Sequence, residues 1–131
     1  MIGLDTNVLV RLLVRDHEEQ YQRVLGLLLA DGERPDSFYV NHVVLVETAW
    51  VLRSDYRFGR SEIADALQSV LDVGSFDIQD RERVSAALVL FRQSKADFAD
   101  CLISIGNLAA GCRYTATFDA RAQAVDGMQP V

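Results

Sequence analysis

Short apolar runs alternate along the chain with longer segments whose apolar residues recur every three or four positions. Runs of the first kind predict buried strands, and segments of the second kind predict amphipathic helices. The predicted strands are MIGL (1–4), SFYV (37–40), FDI (76–78), RYTAT (113–117) and MQPV (128–131). The predicted helices are 7–14, 17–30, from the N-cap Asn41 to about Arg53, from the N-cap Ser61 to near Gly74, 80–95, and 96–111, which Gly111 stops.

This alternation of strands and helices predicts an α/β fold, in which helices cover both faces of a parallel sheet. A chain of 131 residues has room for one core. We therefore expect a single domain over residues 1–131, a three-layer α/β/α sandwich with a short, mainly parallel central sheet. Ligands of such folds bind at the carboxyl ends of the strands. Asp5 and Asp119 each come just after a predicted strand, so both are candidates for a site.

Glu47 stands in an unusual place in the predicted helix HVVLVETAWVL (42–52). A glutamate there has three possible roles. It extends past the edge of the apolar face to solvent, it pairs with an arginine such as Arg53, or it faces inward and lines a metal pocket. Because acids on apolar faces are uncommon without a partner, we favour the pocket. The helix neighbours three and four residues from Glu47 are all apolar: Val43, Val44, Trp50 and Val51.

Asp97 and Asp100 lie three residues apart at the start of a predicted helix, in KADFADCLI (95–103), and therefore share one side of it. Asp97 occupies the expected N-cap, where acids bind free N–H groups and interact favourably with the helix macrodipole. Ser104 and Asn107 continue the same side. From these residues alone, a solvated helix face is as consistent with the pattern as a binding site.

Composition narrows the choice of function. The net charge of −6 argues against a general basic surface for nucleic acid, although the candidate acids supply much of that charge. No apolar run approaches the ~20 residues of a membrane helix, and the chain does not begin with an export signal. We therefore expect a cytoplasmic protein in which Cys101 and Cys112 are reduced.

Carboxylates are the functional groups that remain after other chemistries are considered. Neither His17 nor His42 has a partner at the spacing of zinc ligands, and the two cysteines do not form a CxxC pair. The sequence contains no glycine-rich phosphate loop and no Gly-x-Ser-x-Gly nucleophile turn. Oxygen ligands of this kind suit Mg²⁺ or Mn²⁺.

Four short motifs occur in order along the chain: LDTN (4–7), VETAWVL (46–52), DFADCLI (97–103) and TFD (117–119). Together they resemble the PIN domain family, and within it the small VapC-like toxins of prokaryotic type II toxin–antitoxin pairs. The resemblance runs through the whole chain. It implies a metal-dependent endoribonuclease that cleaves RNA phosphodiester bonds with one or two Mg²⁺ or Mn²⁺ ions.

The resemblance also implies which acids bind the metal and take part in catalysis. Asp5, Glu47 and Asp100 match the three main ligands of the family. Asp119 matches its more variable fourth acid. Asp97 matches an extra acid of some members, which either assists the metal site or only caps the helix.

Supporting roles follow from the same resemblance. Thr6 and Thr117 match hydroxyl residues that orient carboxylates or a water molecule, and Asn7 fits either a ligand or a helix cap. Ala120 departs from the family pattern, in which a basic residue often follows the fourth acid. Three arginines are candidates for contact with RNA phosphates, although a solvated arginine cluster explains them equally well: Arg53, Arg57 and Arg60.

The resemblance further implies partners, namely a cognate antitoxin whose C-terminal segment lies across the site and a second copy of the chain in a homodimer. The apolar helices at 8–14 and 21–30 could supply both surfaces. Two other functions stay open. One is a non-catalytic PIN module that binds nucleic acid or a partner. The other is a phosphatase with Asp5 as the nucleophile, although Asn7 stands where that chemistry usually has a second acid.

Overall fold

Short parallel strands organise both parts of the chain. A computed structural model describes residues 1–131 and separates them into two units, Met1–Gln79 and Asp80–Val131. All strand pairs in both units are parallel. The α/β class and the short parallel strands predicted from the sequence are therefore confirmed.

The first unit contains a three-stranded sheet in the order β1–β2–β3. The edge-to-face pair of Phe38 and Phe76, with ring centroids 6.1 Å apart, joins β2 to β3, and both rings are fully buried. Helix α1 packs against α2 and α3, and α4 packs against α3 and β3. The elements are β1 (Ile2–Gly3), α1 (Thr6–Leu13), α2 (Glu18–Asp31), β2 (Phe38–Val40), α3 (His42–Ser54), α4 (Arg60–Leu71) and β3 (Phe76–Ile78).

The second unit pairs two helices with a two-stranded sheet. Helices α5 and α6 pack closely, with Phe91 and Phe98 in an edge-to-face contact at 6.1 Å. Strand β4 pairs with β5, and Thr115 lies opposite Met128. The elements are α5 (Arg81–Gln93), α6 (Phe98–Ala109), β4 (Thr115–Thr117), a 3₁₀ turn (Ala122–Ala124) and β5 (Met128–Pro130).

The capping residues agree with the sequence in one helix and differ in another. Asn41 caps α3 as predicted, because its side-chain oxygen accepts a hydrogen bond from the Val44 N–H at 2.9 Å. The prediction that Ser61 caps α4 is wrong. Gly59 is the N-cap, and the Glu62 carboxylate reaches back to the Gly59 N–H at 3.0 Å. An acid three residues into the helix thus replaces the side-chain cap.

Two other sequence predictions are also tested by the structure. No helix is both long enough and apolar enough to cross a membrane. No disulfide joins the cysteines, of which Cys101 is buried and Cys112 is exposed.

Gly127 allows the chain before β5 to approach α6 closely. Its φ is +86°, and a Cβ atom built there would lie 2.7 Å from Leu108 Cδ1 and 2.7 Å from Ser104 Oγ. The Ser104 hydroxyl is buried and donates a hydrogen bond to the Asp126 carbonyl oxygen at 2.8 Å. A Cβ atom at this position would therefore require Leu108 and the Ser104 hydroxyl to move, or the segment to shift.

We expect Gly127→Ala to lower the free energy of unfolding by about 2–4 kcal/mol, because a left-handed backbone strain and a steric clash add together. Gly111→Ala is the matched control, since Gly111 has a φ of +97° and nothing within 4 Å of its Cβ position. It should lose only the strain, about 1–2 kcal/mol. Urea unfolding of both variants measures the difference. Equal losses would show that the close approach at Gly127 contributes nothing.

Candidate metal centre

Asp5 lies where the first strand ends and the first helix begins. The Leu4 N–H still donates to the Tyr39 carbonyl oxygen of β2 at 2.9 Å, so strand pairing continues up to the residue before Asp5. Asp5 is the N-cap of α1, and its Oδ1 accepts a hydrogen bond from the Val8 N–H at 3.2 Å. The side chain is exposed, and its carboxylate keeps acceptor capacity for a cation after capping.

The two residues after Asp5 belong to the first turn of α1. Thr6 is half-buried and opens the helix, and Asn7 is exposed. The prediction that Asn7 starts the helix is wrong, because Asp5 has extended backbone and already caps it. A supporting role for Thr6 and Asn7 therefore stays a prediction that rests on the resemblance.

Glu47 does not face the core. It is exposed, in line with Val43 and Trp50, which are 65% and 64% exposed. The inward orientation predicted from its apolar neighbours is wrong. The helix is apolar on nearly all sides, and the residues that pack inward are Val44, Leu45, Thr48, Ala49 and Leu52. The Glu47 carboxylate is accessible to a ligand without any desolvation by the core.

Asp97 and Asp100 occupy the first turn of α6. Asp97 is the N-cap residue, as predicted, but its side chain makes no capping hydrogen bond. The Asp100 carboxylate instead accepts a hydrogen bond from the Asp97 backbone. A capping role thus accounts for part of the position of Asp100, but it does not account for the side chain of Asp97.

Asp119 follows β4 in a turn that its own neighbours hold in place. The Asp119 N–H donates to Thr117 Oγ1 at 3.0 Å, and Asp119 Oδ1 accepts from the Arg121 N–H at 2.9 Å. Thr117 therefore fixes the backbone at Asp119 rather than its carboxylate. The alanine at 120 does not disturb this turn, because the hydrogen bond to the carboxylate comes from the following residue.

Two carboxylates of the second unit act on a third, that of Asp100. Burial raises the pKa of Asp100, and the negative charges of Asp119 and Asp97 raise it further, while the Asp97 backbone hydrogen bond lowers it. Oxygen-only, negatively charged donors of this kind are the ligands that Mg²⁺ and Mn²⁺ prefer. A divalent cation at Asp100 would reverse the repulsion that raises its pKa, so the donor set fits such an ion.

The polar side of α6 continues beyond these acids, and it is not a solvated face. The buried Ser104 hydroxyl bonds the Asp126 carbonyl oxygen, and Asn107 Nδ2 donates to Thr115 Oγ1 at 2.9 Å. The helix that carries Asp100 thus holds the start of β4, the strand that ends just before Asp119. Helical spacing places both residues on this side but does not show what they bind.

The predicted ligands are divided between the two units, and Asp97, Asp100 and Asp119 belong to the second. No group of three or more His, Cys, Asp or Glu side chains is arranged to hold a metal ion. Asp5 and Glu47 belong to the first unit, where Asp5 caps α1, Glu47 lies on α3, and the two helices pack together. The arginine candidates Arg53, Arg57 and Arg60 are all exposed around the connection between α3 and α4. Their contact with RNA stays a prediction.

We expect Asp100→Asn to melt at a higher temperature than the unmodified protein at pH 7 in EDTA. A carboxyl whose pKa is raised by folding binds its proton more tightly in the folded state, so its ionisation destabilises the fold as pH rises above about 4. The advantage of the variant should therefore shrink towards pH 4. Millimolar Mn²⁺ should raise the melting temperature of the unmodified protein by several degrees and that of the variant by less.

Glu82→Gln provides the control for this experiment, because Glu82 is an exposed acid in the first turn of α5. Removing it should leave the melting temperature nearly unchanged or slightly lower, and it should not alter the response to Mn²⁺. If Asp100 only stabilised its helix, Asp100→Asn would melt lower than the unmodified protein, and Mn²⁺ would have no effect on either.

Comparison with known proteins identifies the family of this chain. The chain is 23% identical over 118 residues to a protein described as VapC ribonuclease from Aquifex aeolicus (strain VF5), which covers 90% of this chain and 87% of that protein. The family pattern described as PIN domain matches residues 2–128, which include all five candidate acids. The chain therefore belongs to the PIN domain family.

Proposed function

We propose that this protein is a metal-dependent endoribonuclease and the toxin of a type II toxin–antitoxin pair. The observation that carries the nuclease proposal is that burial and the negative charges of Asp119 and Asp97 raise the pKa of Asp100, within a PIN domain sequence. The relative described as VapC ribonuclease supports RNA as the substrate. A toxin of this kind would act in the cytoplasm, where its RNA substrates are found.

The residues proposed to hold Mg²⁺ or Mn²⁺ are Asp5, Glu47, Asp100 and Asp119, with Asp97 as an additional acid. When bound, one or two such ions would activate a water molecule and stabilise the charge on the phosphate. Exposure of Asp5, Glu47 and Asp119 leaves these carboxylates accessible to both a cation and a substrate.

Other residues of the chain have positioning roles in this proposal. The Thr117 hydroxyl holds the backbone N–H of Asp119, and Asn107 holds β4 against α6. The exposed side chains of Arg53, Arg57 and Arg60 are proposed to contact RNA phosphates. They would supply the positive charge that the acidic composition as a whole does not.

The surface proposed for the antitoxin is a groove between α1 and α2. Its volume is about 430 Å³, and both apolar and basic side chains line it. Apolar side chains give such a groove affinity for an amphipathic segment. Arg23 favours an acidic residue in that segment, whereas Arg11 already pairs with Asp16 at 3.6 Å. The lining residues are Asn7, Val8, Arg11, Gln20, Arg23, Val24 and Leu27.

We also propose that two copies of the chain form a homodimer.

We predict that Asp5→Asn, Glu47→Gln and Asp100→Asn each reduce RNA cleavage by roughly 100-fold or more and relieve growth arrest, because each removes a metal ligand. Asp97→Asn and Asp119→Asn should have smaller effects. Cleavage of a labelled RNA in Mn²⁺ measures the rates, and circular dichroism verifies that each variant is folded.

Glu82→Gln should retain the full rate and serves as the control acid. Full activity in any of the first three variants would remove that residue from the site. If the protein hydrolyses a phosphomonoester but does not cleave RNA, it is a phosphatase and not a nuclease. RNA binding without cleavage of either substrate would indicate a non-catalytic module.

We predict that the gene beside this one encodes a short protein with a DNA-binding N-terminal half, and that co-expression gives a complex with little nuclease activity. Leu27→Glu should prevent the complex while leaving cleavage intact, since a buried charge opposes apolar docking. Leu29→Glu is the control, because Leu29 is 80% exposed on α2 and does not line the groove. Copurification measures binding. A Leu27→Glu protein that is still captured and inhibited would place the antitoxin elsewhere.

A further inference from the structure

Strand β4 has two faces of different character. Thr115 and Thr117 are half-buried, and Thr115 receives the hydrogen bond from Asn107 of α6. Ala116 between them is exposed. Tyr114 directly precedes the strand and Phe118 directly follows it, and both side chains are exposed. Thr115 thus faces the helix that carries Asp100, while Tyr114, Ala116 and Phe118 are open to solvent, and we call these three residues the aromatic face.

Phe118 is the most exposed large hydrophobic side chain of the chain, at 86%. Its backbone is nonetheless well held, because the flanking residues are joined by the hydrogen bond from the Asp119 N–H to Thr117 Oγ1. Tyr114 is 40% exposed, and the Arg113 guanidinium lies 5.7 Å from its ring centroid. The face therefore presents two aromatic rings, with only the small side chain of Ala116 between them.

The composition and charge of this face match a single-stranded nucleic acid. Tyr114 and Phe118 are four residues apart, so their Cα atoms lie at most about 14 Å from each other, a distance that consecutive unstacked nucleotides can span. Aromatic rings bind unpaired bases by stacking, and adjacent cations bind the backbone. Arg113 and Arg121, both exposed, flank the face on either side in the sequence, and Asp119 directly follows Phe118.

We propose that Tyr114 and Phe118 form a stacking platform for two unpaired bases of an RNA strand, next to the acid at position 119. The proposal rests on the proposed ribonuclease function for the identity of the ligand. Both rings would bind bases whatever their sequence, because every base has an aromatic face. The platform selects single-stranded RNA over a duplex, whose bases are already stacked on one another.

The test measures binding of a ten-nucleotide single-stranded RNA that contains 2-aminopurine, in EDTA, so that cleavage does not interfere. The unmodified protein should bind and quench the 2-aminopurine fluorescence. Phe118→Ala should raise the Kd about 5- to 50-fold and abolish most of the quenching, and Tyr114→Ala should raise the Kd by a smaller factor. Phe118→Trp should retain binding, whereas Phe118→Leu, which keeps an apolar side chain without a ring, should behave like Phe118→Ala.

Leu29→Ala is the matched control, since Leu29 is an equally exposed apolar residue on α2, and it should leave the Kd unchanged. With Mn²⁺ present, Phe118→Ala should raise the KM for single-stranded RNA far more than it lowers kcat. A duplex of the same sequence should bind weakly and without dependence on Phe118.

The proposal is overturned if the unmodified protein does not bind the RNA, if Phe118→Ala binds it with unchanged Kd, or if Phe118→Leu restores binding. A dimer that dissociates in Phe118→Ala, with unchanged RNA affinity, would make this face a protein interface instead. The nuclease proposal is tested separately. If RNA binding depends on Phe118 but the protein does not cleave RNA in Mn²⁺, the stacking platform is supported and the nuclease function is contradicted.

Discussion

Repulsion between carboxylates is the constraint on which this account of the protein depends. Asp100 is partly buried, and two further acids of the same unit raise its pKa. A fold that served only stability would gain by replacing one of these acids with a neutral residue, since like charges near one another are destabilising. The arrangement is explained if a cation relieves the repulsion, which is what a divalent metal ion would do in the function proposed for this member of the PIN domain family.

Helix α6 and strand β4 link that chemistry to the architecture of the second unit. The helix presents its acids at one end and Ser104 and Asn107 further along the same side, where they hold the segment before β5 and the first residue of β4. Gly127 allows the close approach that the Ser104 hydrogen bond requires. Strand β4 contacts the helix through Thr115, and the exposed rings of Tyr114 and Phe118 flank the strand. This short segment thus contributes to both the position of Asp119 and the proposed contact with substrate.

Periodicity and capping chemistry made most elements predictable from the sequence. The caps at Asn41 and Asp97 were predictable because short polar side chains before an apolar helix leave few alternatives. The cap of α4 at Gly59 was not, since a glutamate that reaches back to a glycine gives no signal stronger than the nearby Ser61. The α/β class followed from the alternation of elements, but the separation of the strands into a three-stranded and a two-stranded sheet did not.

The site was predictable in its residues more than in its geometry. Glu47 was singled out by its apolar neighbours, yet those neighbours surround the helix, so the pattern could not show which side faces the core. The role of Asn107 depends on a contact with Thr115, eight residues away and across a turn, which helical spacing does not predict. The exposure of Tyr114 and Phe118 beside β4 could not be predicted either, because the sequence pattern alone does not tell an exposed side chain near a strand from a buried one.

The chemical ends of the cleaved RNA test the central claim most directly. Water attack at a metal-bound phosphate leaves one linear phosphate monoester and one hydroxyl at each cut, whereas attack by the neighbouring 2′-hydroxyl leaves a 2′,3′-cyclic phosphate. Mass spectrometry of products from a defined single-stranded RNA, incubated with the purified protein in Mn²⁺ and in EDTA, distinguishes them. The account predicts linear ends in Mn²⁺ and intact RNA in EDTA. Cyclic ends formed equally in both conditions would contradict it.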